Sequence, residues 1–322
     1  MNAIMIMYHK NTEQIERMVN TLSSENFDIF IHADSNLVLS DEDKNKIVAA
    51  SAISKVYFTE NRHHGVLNTD SLVKIEIELI KTAKACGDYK YFLLLSGQDY
   101  PIKPMKYINK TLNDSYPKPF IDCTPYDKHN WVSSKFSYND KTMKLRKYLL
   151  GKRKGPLSTY SLGAIDVILR KLVKYLHLDY YTSLTKQNIE LFGGSEWWIL
   201  PDVCVNYIIS EYDSGKPYIK ELLGVRTPDE TFFQIMTMRS PSRNLVDVNP
   251  KDKVSQSCKT FAYFHCKGKP FVGHPYEFTI SDIELLSEKS EKDDIWFARK
   301  FDLTIDSKVF DLVEEKLLKK FE

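Results

Sequence analysis

The sequence lacks the motifs that define several common classes of nucleotide and metal enzymes. It contains no G-x-x-x-x-G-K-[ST] loop, no G-x-G-x-x-G motif after the first predicted strand and no H-E-x-x-H motif. These absences exclude P-loop NTPases, dinucleotide-binding Rossmann enzymes and zincin proteases. The one D-x-D motif, Asp41-Glu42-Asp43, begins a predicted helix, where acidic residues cap the helix rather than hold a metal ion.

Cysteines are few, and no two of them are closely spaced. The five lie at Cys86, Cys123, Cys204, Cys258 and Cys266. This spacing matches neither a metal ribbon nor a redox motif, and it predicts reduced thiols in a cytoplasmic protein. The apolar run at residues 3–8 is too short to span a bilayer, so it predicts a first strand rather than a signal peptide.

An excess of either charge is also lacking, since 45 Lys and Arg residues face 43 Asp and Glu residues for a net charge of +2. The total gives no reason to expect nucleic acid as a partner, and any cationic site must be local. Basic residues do cluster at 144–154 and in the lysine-rich C-terminal helix. A solvated face and a peripheral membrane-binding surface both fit these clusters.

The sequence does contain a regular alternation of short apolar runs and amphipathic stretches. Strands are predicted at 3–8, 27–32, 55–58 and 91–95, and helices at 12–23, 40–50, 69–86 and 161–176. This rhythm predicts an α/β fold with a mostly parallel central sheet flanked by helices. In the last of these helices, five residues are expected to share the buried face: Leu162, Ile165, Ile168, Leu169 and Leu172. Because the 322 residues contain no repeat or low-complexity linker, we predict a single domain.

Polar residues follow the predicted strands, at the edge where parallel sheets bind ligands. His9, Asp34, Arg62 and Asp99 each come after one of the four strands. An ordinary turn could have the same sequence around Asp99. Asp99 follows the most apolar of the strands, however, and this position favours a ligand site. The neighbouring pair His63-His64 predicts no metal site, because adjacent side chains point apart and no third ligand is near.

Two further stretches carry residues suited to group-transfer chemistry. Arg299 and Lys300 lie between phenylalanines and suit a diphosphate, although a solvated strand edge would look the same. In residues 227–236, Thr227 is expected to cap a helix and Glu230 to lie in its first turn. A carboxylate held there suits a general base, and an ordinary capped helix fits equally well.

Six short motifs occur in one order along nearly the whole chain. They are Tyr8-His9-Lys10, Ile31-His32-Ala33-Asp34, residues 95–103, Gly194-Ser195-Glu196-Trp197-Trp198, residues 228–233 and residues 297–302. Each alone is weak, but together they resemble the core-2/I-branching glycosyltransferases, the family that also includes protein xylosyltransferases. The resemblance implies a GT-A-type fold, a UDP-sugar donor, inversion at the anomeric carbon and no metal requirement.

The resemblance also implies roles for individual residues. Glu230 matches the catalytic base, and Lys300 matches the cation on the leaving diphosphate. On the donor side lie His9, Asp34, Arg62, Asp99 and Arg299, and the acceptor-side motif contains Glu196 and Trp197. On this basis residues 1–123 form a nucleotide-binding half and 124–322 an acceptor-binding and catalytic half. The expected acceptor is a glycan or a lipid-linked saccharide.

Two departures from the family pattern leave parts of this prediction open. Arg62-His63-His64-Gly65 stands where the family often has a tryptophan before the glycine. Where the family often has a second diphosphate-binding arginine, this chain has Gly273-His274-Pro275-Tyr276, so Arg299, Lys269 and His274 remain candidates. The absence of an anchor and of paired cysteines predicts a bacterial, cytoplasmic relative. A non-catalytic carbohydrate-binding or nucleotide-binding module on the same fold is the competing hypothesis.

Overall fold

The computed structural model describes residues 1–150, 158–249, 257–264 and 274–319. Lys269, Cys266 and the basic run 152–154 lie outside the described residues, so the predictions made for them stay predictions. In the part of the chain that is described, no helix is long and apolar enough to cross a membrane.

Eleven strands form three sheets in the described residues. They are β1 Asn2–Tyr8, β2 Phe27–Ala33, β3 Val56–Phe58, β4 Tyr91–Ser96, β5 Asp99–Pro101, β6 Phe120–Ile121, β7 Thr124–Pro125, β8 Phe192–Gly193, β9 Trp198–Pro201, β10 Thr260–Ala262 and β11 Phe297–Arg299. The central six-stranded sheet has the order β3-β2-β1-β4-β9-β6. The first four of these strands are mutually parallel, whereas β9 is antiparallel to β4 and to β6. The predicted α/β class with a mostly parallel sheet is confirmed.

A small second sheet, in the order β10-β11-β5, lies beyond the end of β4. Strand β5 begins only two residues after β4, so the turn Gly97-Gln98 carries the chain from one sheet into the other. Strand β11 pairs antiparallel with β5, and this register sets Arg299 directly opposite Asp99. The pairing brings the C-terminal cationic motif to the strand-end edge of the central sheet.

Twelve α-helices in the described residues surround these sheets. They are α1 Thr12–Leu22, α2 Asp41–Ala49, α3 Ser71–Cys86, α4 Met105–Ser115, α5 Asp140–Leu150, α6 Ser158–Tyr175, α7 Tyr180–Lys186, α8 Asp202–Asp213, α9 Pro217–Gly224, α10 Phe232–Arg239, α11 Ile283–Lys292 and α12 Lys308–Val313. Ser40 caps α2 reciprocally with Asp43, as its acidic first turn predicts. Asp41 and Asp43 therefore belong to a helix start rather than to a metal site.

The core has two layers, one on each face of the central sheet. Successive side chains of a strand point to opposite faces, so Met5 of β1 joins one layer and Ile4 and Ile6 join the other. Helices α3, α8 and α10 cover the first face, where Trp198 stacks on Phe233 with ring centres 4.8 Å apart. Helices α1, α4, α11 and α12 cover the second face.

Two local predictions are wrong. The first concerns Thr227, which does not cap a helix with its side chain. Thr227 adopts a left-handed conformation, and a short 3-10 turn, Pro228–Glu230, precedes α10.

The second wrong prediction concerns the buried face of α6. In α6 the buried residues include Leu169, whereas Ile168 and Leu172 face solvent. The helix carries apolar residues around more than half of its circumference, so periodicity alone did not determine which stripe would be buried.

Candidate active site

A cavity of about 290 Å³ opens at the carboxyl ends of the parallel strands. It is lined by Met7, Tyr8, His9, His32, Asp34, Gly65, Leu67, Leu72, Ile75, Ser96, Gln98, Glu196, Trp197, Arg299 and Lys300. Six of the residues predicted from sequence therefore share one cavity: His9, Asp34, Glu196, Trp197, Arg299 and Lys300. Arg62, Asp99 and Glu230 do not line it.

Asp34 is fixed at the end of β2 by a ring of hydrogen-bond donors. Its carboxylate accepts hydrogen bonds from the backbone N–H groups of Asn36 (2.8 Å) and Gly65 (2.8 Å) and lies 3.0 Å from His64 Nδ1. Burial opposes ionisation of this carboxyl group, but these bonds outweigh it and lower the pKa of Asp34. Asp34 is therefore an ionised acceptor, suited to hydroxyl groups of a ligand.

Arg62 shapes the loop that carries Asp34 and does not face the cavity. Its guanidinium donates to the backbone carbonyls of Ala33 (2.9 Å), Asp34 (2.5 Å) and Leu37 (2.5 Å). These three bonds commit the Nε and Nη2 groups of the guanidinium to the loop. The expected donor contact by Arg62 is thus replaced by a contact with the chain itself.

Arg299 is held against the cavity wall from two sides. Its guanidinium carbon lies 4.0 Å from the centre of the Trp197 ring, and its Nη1 atom lies 3.5 Å from Asp99 Oδ1. Arg299 also lines the cavity, so its positive charge lies where an anion could bind.

Asp99 supports the position of Arg299 and does not itself line the cavity. Its side chain is fully buried, and Oδ2 accepts a hydrogen bond from the Ser96 N–H at 2.6 Å. Burial raises the pKa of Asp99, while the Arg299 charge opposes that rise. Asp99 therefore anchors Arg299 instead of contacting a ligand in the cavity.

Lys300 adds to the positive potential of the cavity beside Arg299. Burial lowers the pKa of Lys300, and the neighbouring Arg299 lowers it further. Burial likewise lowers the pKa of His9, with contributions from Lys10 and Lys300, so this ring is mostly neutral at pH 7. The mutual repulsion of Arg299 and Lys300 favours a bound anion, because an anion compensates both charges at once.

Buried carboxyl groups also lie at or next to this cavity. Glu196 keeps some accessible surface, and that surface lines the cavity, but desolvation and the nearby Asp229 raise the pKa of Glu196 to about 8. Burial and the charge of Glu230 raise the pKa of Asp229 to about 6. Glu76 is fully buried and accepts a hydrogen bond from Trp198 Nε1 at 2.9 Å. Three acids thus crowd the site, and like charges disfavour ionising all of them.

We expect Glu196 to make the protein less stable as the pH rises. In the unfolded chain Glu196 loses its proton near its ordinary pKa of 4.5, whereas in the folded protein it keeps the proton up to about pH 8. Between these values the folded state binds more protons, so the free energy of unfolding falls as pH increases. Glu196→Gln removes this contribution, so its stability advantage over the parent protein should grow from pH 5 to pH 8, measured by urea unfolding.

Glu288→Gln is the control for that measurement, because Glu288 is an exposed residue of α11 that is paired with Lys292. An advantage of Glu196→Gln that stays constant with pH would show that Glu196 is already ionised in the folded protein at pH 5.

Glu230 lies beside the cavity, in the turn before α10. Its carboxylate binds the ammonium group of Lys135, and its carbonyl accepts a hydrogen bond from the Gly194 N–H at 2.9 Å. The Glu230 side chain keeps 35% of its surface exposed, whereas that of Lys135 keeps only 9%. The contact with Gly194 sets the Glu230 turn only two residues along the chain from Glu196, which lines the cavity. Glu230 is thus a supported carboxylate that remains reachable from solvent.

Gly194 allows the close approach on which this support depends. A Cβ atom at this position would lie 1.7 Å from the carbonyl oxygen of Asp122, so any other residue would force the strand apart. Gln234 adds a second tie, because its side-chain amide donates to the Ser195 carbonyl at 2.6 Å. The Gly194–Trp198 motif and the segment that carries Glu230 are therefore held together by direct contacts.

Lys135 is the residue of this site that sequence reasoning missed. It ends a short 3-10 helix, Trp131–Lys135, and its ammonium group also contacts the Thr227 hydroxyl and lies 5.0 Å from the centre of the Trp131 ring. The stretch has no helical or strand periodicity. The stretch is rich in aromatic residues, and this was the one sequence signal of a functional site there. That signal does not point to a particular lysine.

No group of three His, Cys, Asp or Glu residues in the described part of the chain is arranged to hold a metal ion. His32 and His63 stack with ring centres 5.9 Å apart, and His32 accepts the His63 N–H at 2.9 Å. Burial lowers the pKa of His32 to about 4, so this ring is neutral at pH 7. The histidines near β2 serve the loop structure.

Comparison with known proteins assigns the chain to a family. The family model of the Core-2/I-Branching enzyme matches residues 3–286. The chain belongs to this family. The matched range includes the cavity side of the central sheet, Glu196 and the turn of Glu230. The family resemblance predicted from six short motifs is confirmed.

Relatives of this Core-2/I-branching family member include xylosyltransferases of nematodes. The xylosyltransferase sqv-6 of Caenorhabditis elegans is 21% identical over 311 residues, which are 92% of this chain and 34% of the relative. The same protein of Caenorhabditis briggsae is 20% identical over 319 residues, 95% of this chain and 35% of the relative. The chain thus spans about a third of the length of these relatives. The apo structure of mouse xyloside xylosyltransferase 1 aligns with a TM-score of 0.36 at 10% identity, covering 92% of this chain and 96% of the mouse chain.

Proposed function

We propose that this chain is an inverting glycosyltransferase that transfers a sugar from a UDP-sugar to a hydroxyl group of a glycan acceptor without a metal ion. The observation that carries the proposal is the cationic wall of the cavity, which Arg299 and Lys300 line together. Family membership supports the same reaction class. His9 lines the same cavity and offers a ring nitrogen for a hydrogen bond.

In this proposal the donor lies across the strand ends with its diphosphate against Arg299 and Lys300. Asp34, an ionised acceptor at the end of β2, suits the hydroxyl groups of the nucleoside. As the bond between the anomeric carbon and the diphosphate breaks, negative charge develops on the leaving UDP. Fixed cations stabilise such charge without reorganising, which is why they lower the barrier. The two side chains would do the work that a chelated metal does in other transferases.

Glu230 is the proposed general base. An acceptor hydroxyl is a poor nucleophile, so it needs to lose its proton to Glu230 as its oxygen attacks the anomeric carbon from the face opposite the diphosphate. The attack inverts the configuration at that carbon. Base catalysis of this kind contributes about 10²–10⁴-fold. Lys135, which binds the Glu230 carboxylate, would keep that carboxylate oriented before the acceptor enters.

The acceptor is proposed to enter beside Glu196 with the exposed Trp131 ring as its aromatic surface, because Trp197 is 4% exposed and its ring lies against the Arg299 guanidinium. Aromatic faces of this kind bind the apolar faces of sugars, and a carboxyl group can bind their hydroxyl groups. Glu196, whose pKa is raised to about 8, would be protonated at pH 7 and could donate a hydrogen bond as well as accept one. A glycan or lipid-linked saccharide acceptor is consistent with this combination.

A panel of UDP-sugars tests the proposal, and we expect one of them to be consumed in the presence of excess EDTA. The donors are UDP-xylose, UDP-N-acetylglucosamine, UDP-galactose and UDP-glucose. UDP release is measured without acceptor, as slow hydrolysis, and then with simple saccharides added. UDP-xylose comes first because the nematode relatives are named xylosyltransferases. Because Arg299 and Lys300 replace the metal, EDTA should leave the rate unchanged.

Loss of turnover with EDTA, restored by manganese, would contradict the metal-free part of the proposal. Tight binding of a UDP-sugar with no hydrolysis or transfer across the panel would instead favour a non-catalytic binding module. UDP binding itself is followed by the rise in melting temperature that a ligand of the folded state produces.

A further inference from the structure

One face of α6 is apolar and exposed to solvent. Ile168, Leu172 and Tyr175 lie on it, and 65%, 51% and 81% of their surfaces are exposed. Their spacing of four and three residues aligns them in a single stripe along the helix. The buried stripe is a different one, which includes Leu169 and Val173. Helix α6 therefore has a second apolar stripe that the fold leaves uncovered among the described residues.

Positive charge accompanies this stripe. Lys171 and Lys174 are exposed and lie next to it on the helix. The one acidic residue between 158 and 178 is Asp166, and it is neutralised by Arg146 at 2.6 Å and Arg170 at 2.8 Å.

The charge of the surrounding sequence is strongly one-sided. Residues 140–178 contain ten Lys and Arg residues and two Asp residues, a net charge of +8. Because the whole chain carries +2, the remainder carries −6. The basic charge of this protein is thus concentrated in the segment that contains the exposed stripe.

We propose that the α6 face, defined by Ile168, Lys171, Leu172, Lys174 and Tyr175, docks the protein on the surface of an anionic membrane. An amphipathic helix that lies in the headgroup region buries its apolar stripe among acyl chains and places flanking lysines at the level of the lipid phosphates. Tyrosine suits the boundary because its ring is apolar and its hydroxyl is polar. The α6 face has the apolar stripe, the flanking lysines and the tyrosine that such a helix needs.

Charge favours a membrane over the other occupants of such a face. A second copy, packed about a two-fold axis, would set Lys171 and Lys174 against the same residues of its partner. Nucleic acid would satisfy the lysines but would leave Ile168 and Leu172 uncovered, because phosphate contacts need no apolar stripe. An anionic bilayer satisfies both sets of side chains.

The α6 face is linked to the proposed acceptor side by short connections. The Thr142 hydroxyl of α5 donates to the Leu178 carbonyl at 3.2 Å, and the Tyr181 N–H donates to the Phe136 carbonyl at 3.1 Å. Phe136 directly follows Lys135, which binds Glu230. These contacts connect the segment after α6 to the segment that binds Glu230, and a lipid-linked acceptor would suit an enzyme docked in this way. This last link rests on the proposed function, whereas docking itself does not.

Co-sedimentation of the full chain with vesicles tests the proposal. We expect binding to vesicles of phosphatidylcholine mixed with phosphatidylglycerol and little binding to phosphatidylcholine alone. Lys171→Gln with Lys174→Gln should lower the partition coefficient roughly 25-fold, about fivefold for each charge. Ile168→Ser with Leu172→Ser should lower it by about tenfold for each side chain withdrawn from the acyl region. Matched controls elsewhere are Val38→Ser, on a residue that is 93% exposed, and Lys106→Gln in α4.

Thermal unfolding and UDP-sugar hydrolysis in solution should be unchanged in the α6 variants, which separates loss of docking from loss of folding or of catalysis. Equal binding to neutral and anionic vesicles would contradict the role of the lysines, and no binding to either would contradict docking. Concentration-dependent dimerisation that the Ile168 and Leu172 variants abolish, without vesicle binding, would assign the face to a second copy instead. Binding to an oligonucleotide that survives those two variants would assign the lysines to a nucleic acid.

Discussion

Glu230→Gln is expected to lower turnover by about 10²–10⁴-fold while UDP binds as it does to the parent protein. Glutamine has nearly the shape of glutamate but cannot take a proton from the acceptor hydroxyl. The backbone carbonyl of residue 230, which accepts the Gly194 N–H, is untouched by the substitution. The cavity that would hold the donor does not include the Glu230 side chain, so donor affinity should not change. Transfer rate and UDP-induced stabilisation are measured on the same preparation.

Asp229 is the informative comparison for this variant, because it is the neighbouring carboxyl group. Asp229 is buried, and its Oδ1 atom makes no hydrogen bond within the described residues. If the base is Glu230, Asp229→Asn should retain far more activity than Glu230→Gln. Glu288→Gln, on the outer surface of α11, reports the effect of losing an unrelated carboxylate. Near-parental turnover in Glu230→Gln would remove Glu230 from the base role, and selective loss in Asp229→Asn would transfer that role to Asp229.

The parallel half of the sheet was predictable because each of its strands is a local signal. Strands β1, β2 and β4 are largely apolar and are buried on both faces, and amphipathic helices lie between them in the sequence. The polar residues that follow such strands must lie at one edge of the sheet, so the grouping of His9 with Asp34 followed from topology alone. This is why the donor side of the cavity could be predicted without a structure.

The remaining parts of the site depend on contacts between distant segments. Strand β11 has only three residues, and its pairing with β5 sets Arg299 opposite Asp99. Lys135 reaches Glu230 from an irregular stretch. Arg62 was expected at the donor because it follows a strand, but its length lets it turn back to three backbone carbonyls. No local pattern distinguishes an arginine that binds a ligand from one that binds its own loop.

Backbone conformation explains the error at Thr227. A threonine before Pro-Asp-Glu matches the pattern of a helix cap, but the left-handed conformation of Thr227 turns its hydroxyl toward Lys135. The helix begins only at Phe232, after the turn that carries Glu230. The carboxylate is therefore placed by an ion pair and by the close approach of Gly194, rather than by a helix dipole.

The cations of the cavity carry the second large prediction. Lys300→Gln is expected to weaken UDP binding and to lower turnover by about 10²–10³-fold, because in the proposed mechanism its charge stabilises the diphosphate as the bond to the sugar breaks. The variant keeps a side chain of similar length, and burial lowers the pKa of Lys300, so losing the charge should not destabilise the fold. The sharpest readout compares ligands: affinity for UDP should fall much more than affinity for uridine, which has no phosphate. Lys106→Gln, outside the cavity, should change neither.

The role of Arg299 has to be tested in a double variant that also changes Asp99, because Asp99 is fully buried beside it. Arg299→Gln alone would leave the Asp99 carboxylate without its cation, and breaking a buried pair costs about 3–5 kcal/mol. Arg299→Gln with Asp99→Asn removes both charges together, and asparagine can still accept the Ser96 N–H. This double variant should fold and lose UDP affinity while keeping uridine affinity. Asp99→Asn alone breaks the same buried pair and should lower the melting temperature, but it keeps the Arg299 charge and should therefore keep both affinities. Equal loss of UDP and uridine would mean that Arg299 supports the cavity wall through Trp197, and that the diphosphate lies elsewhere.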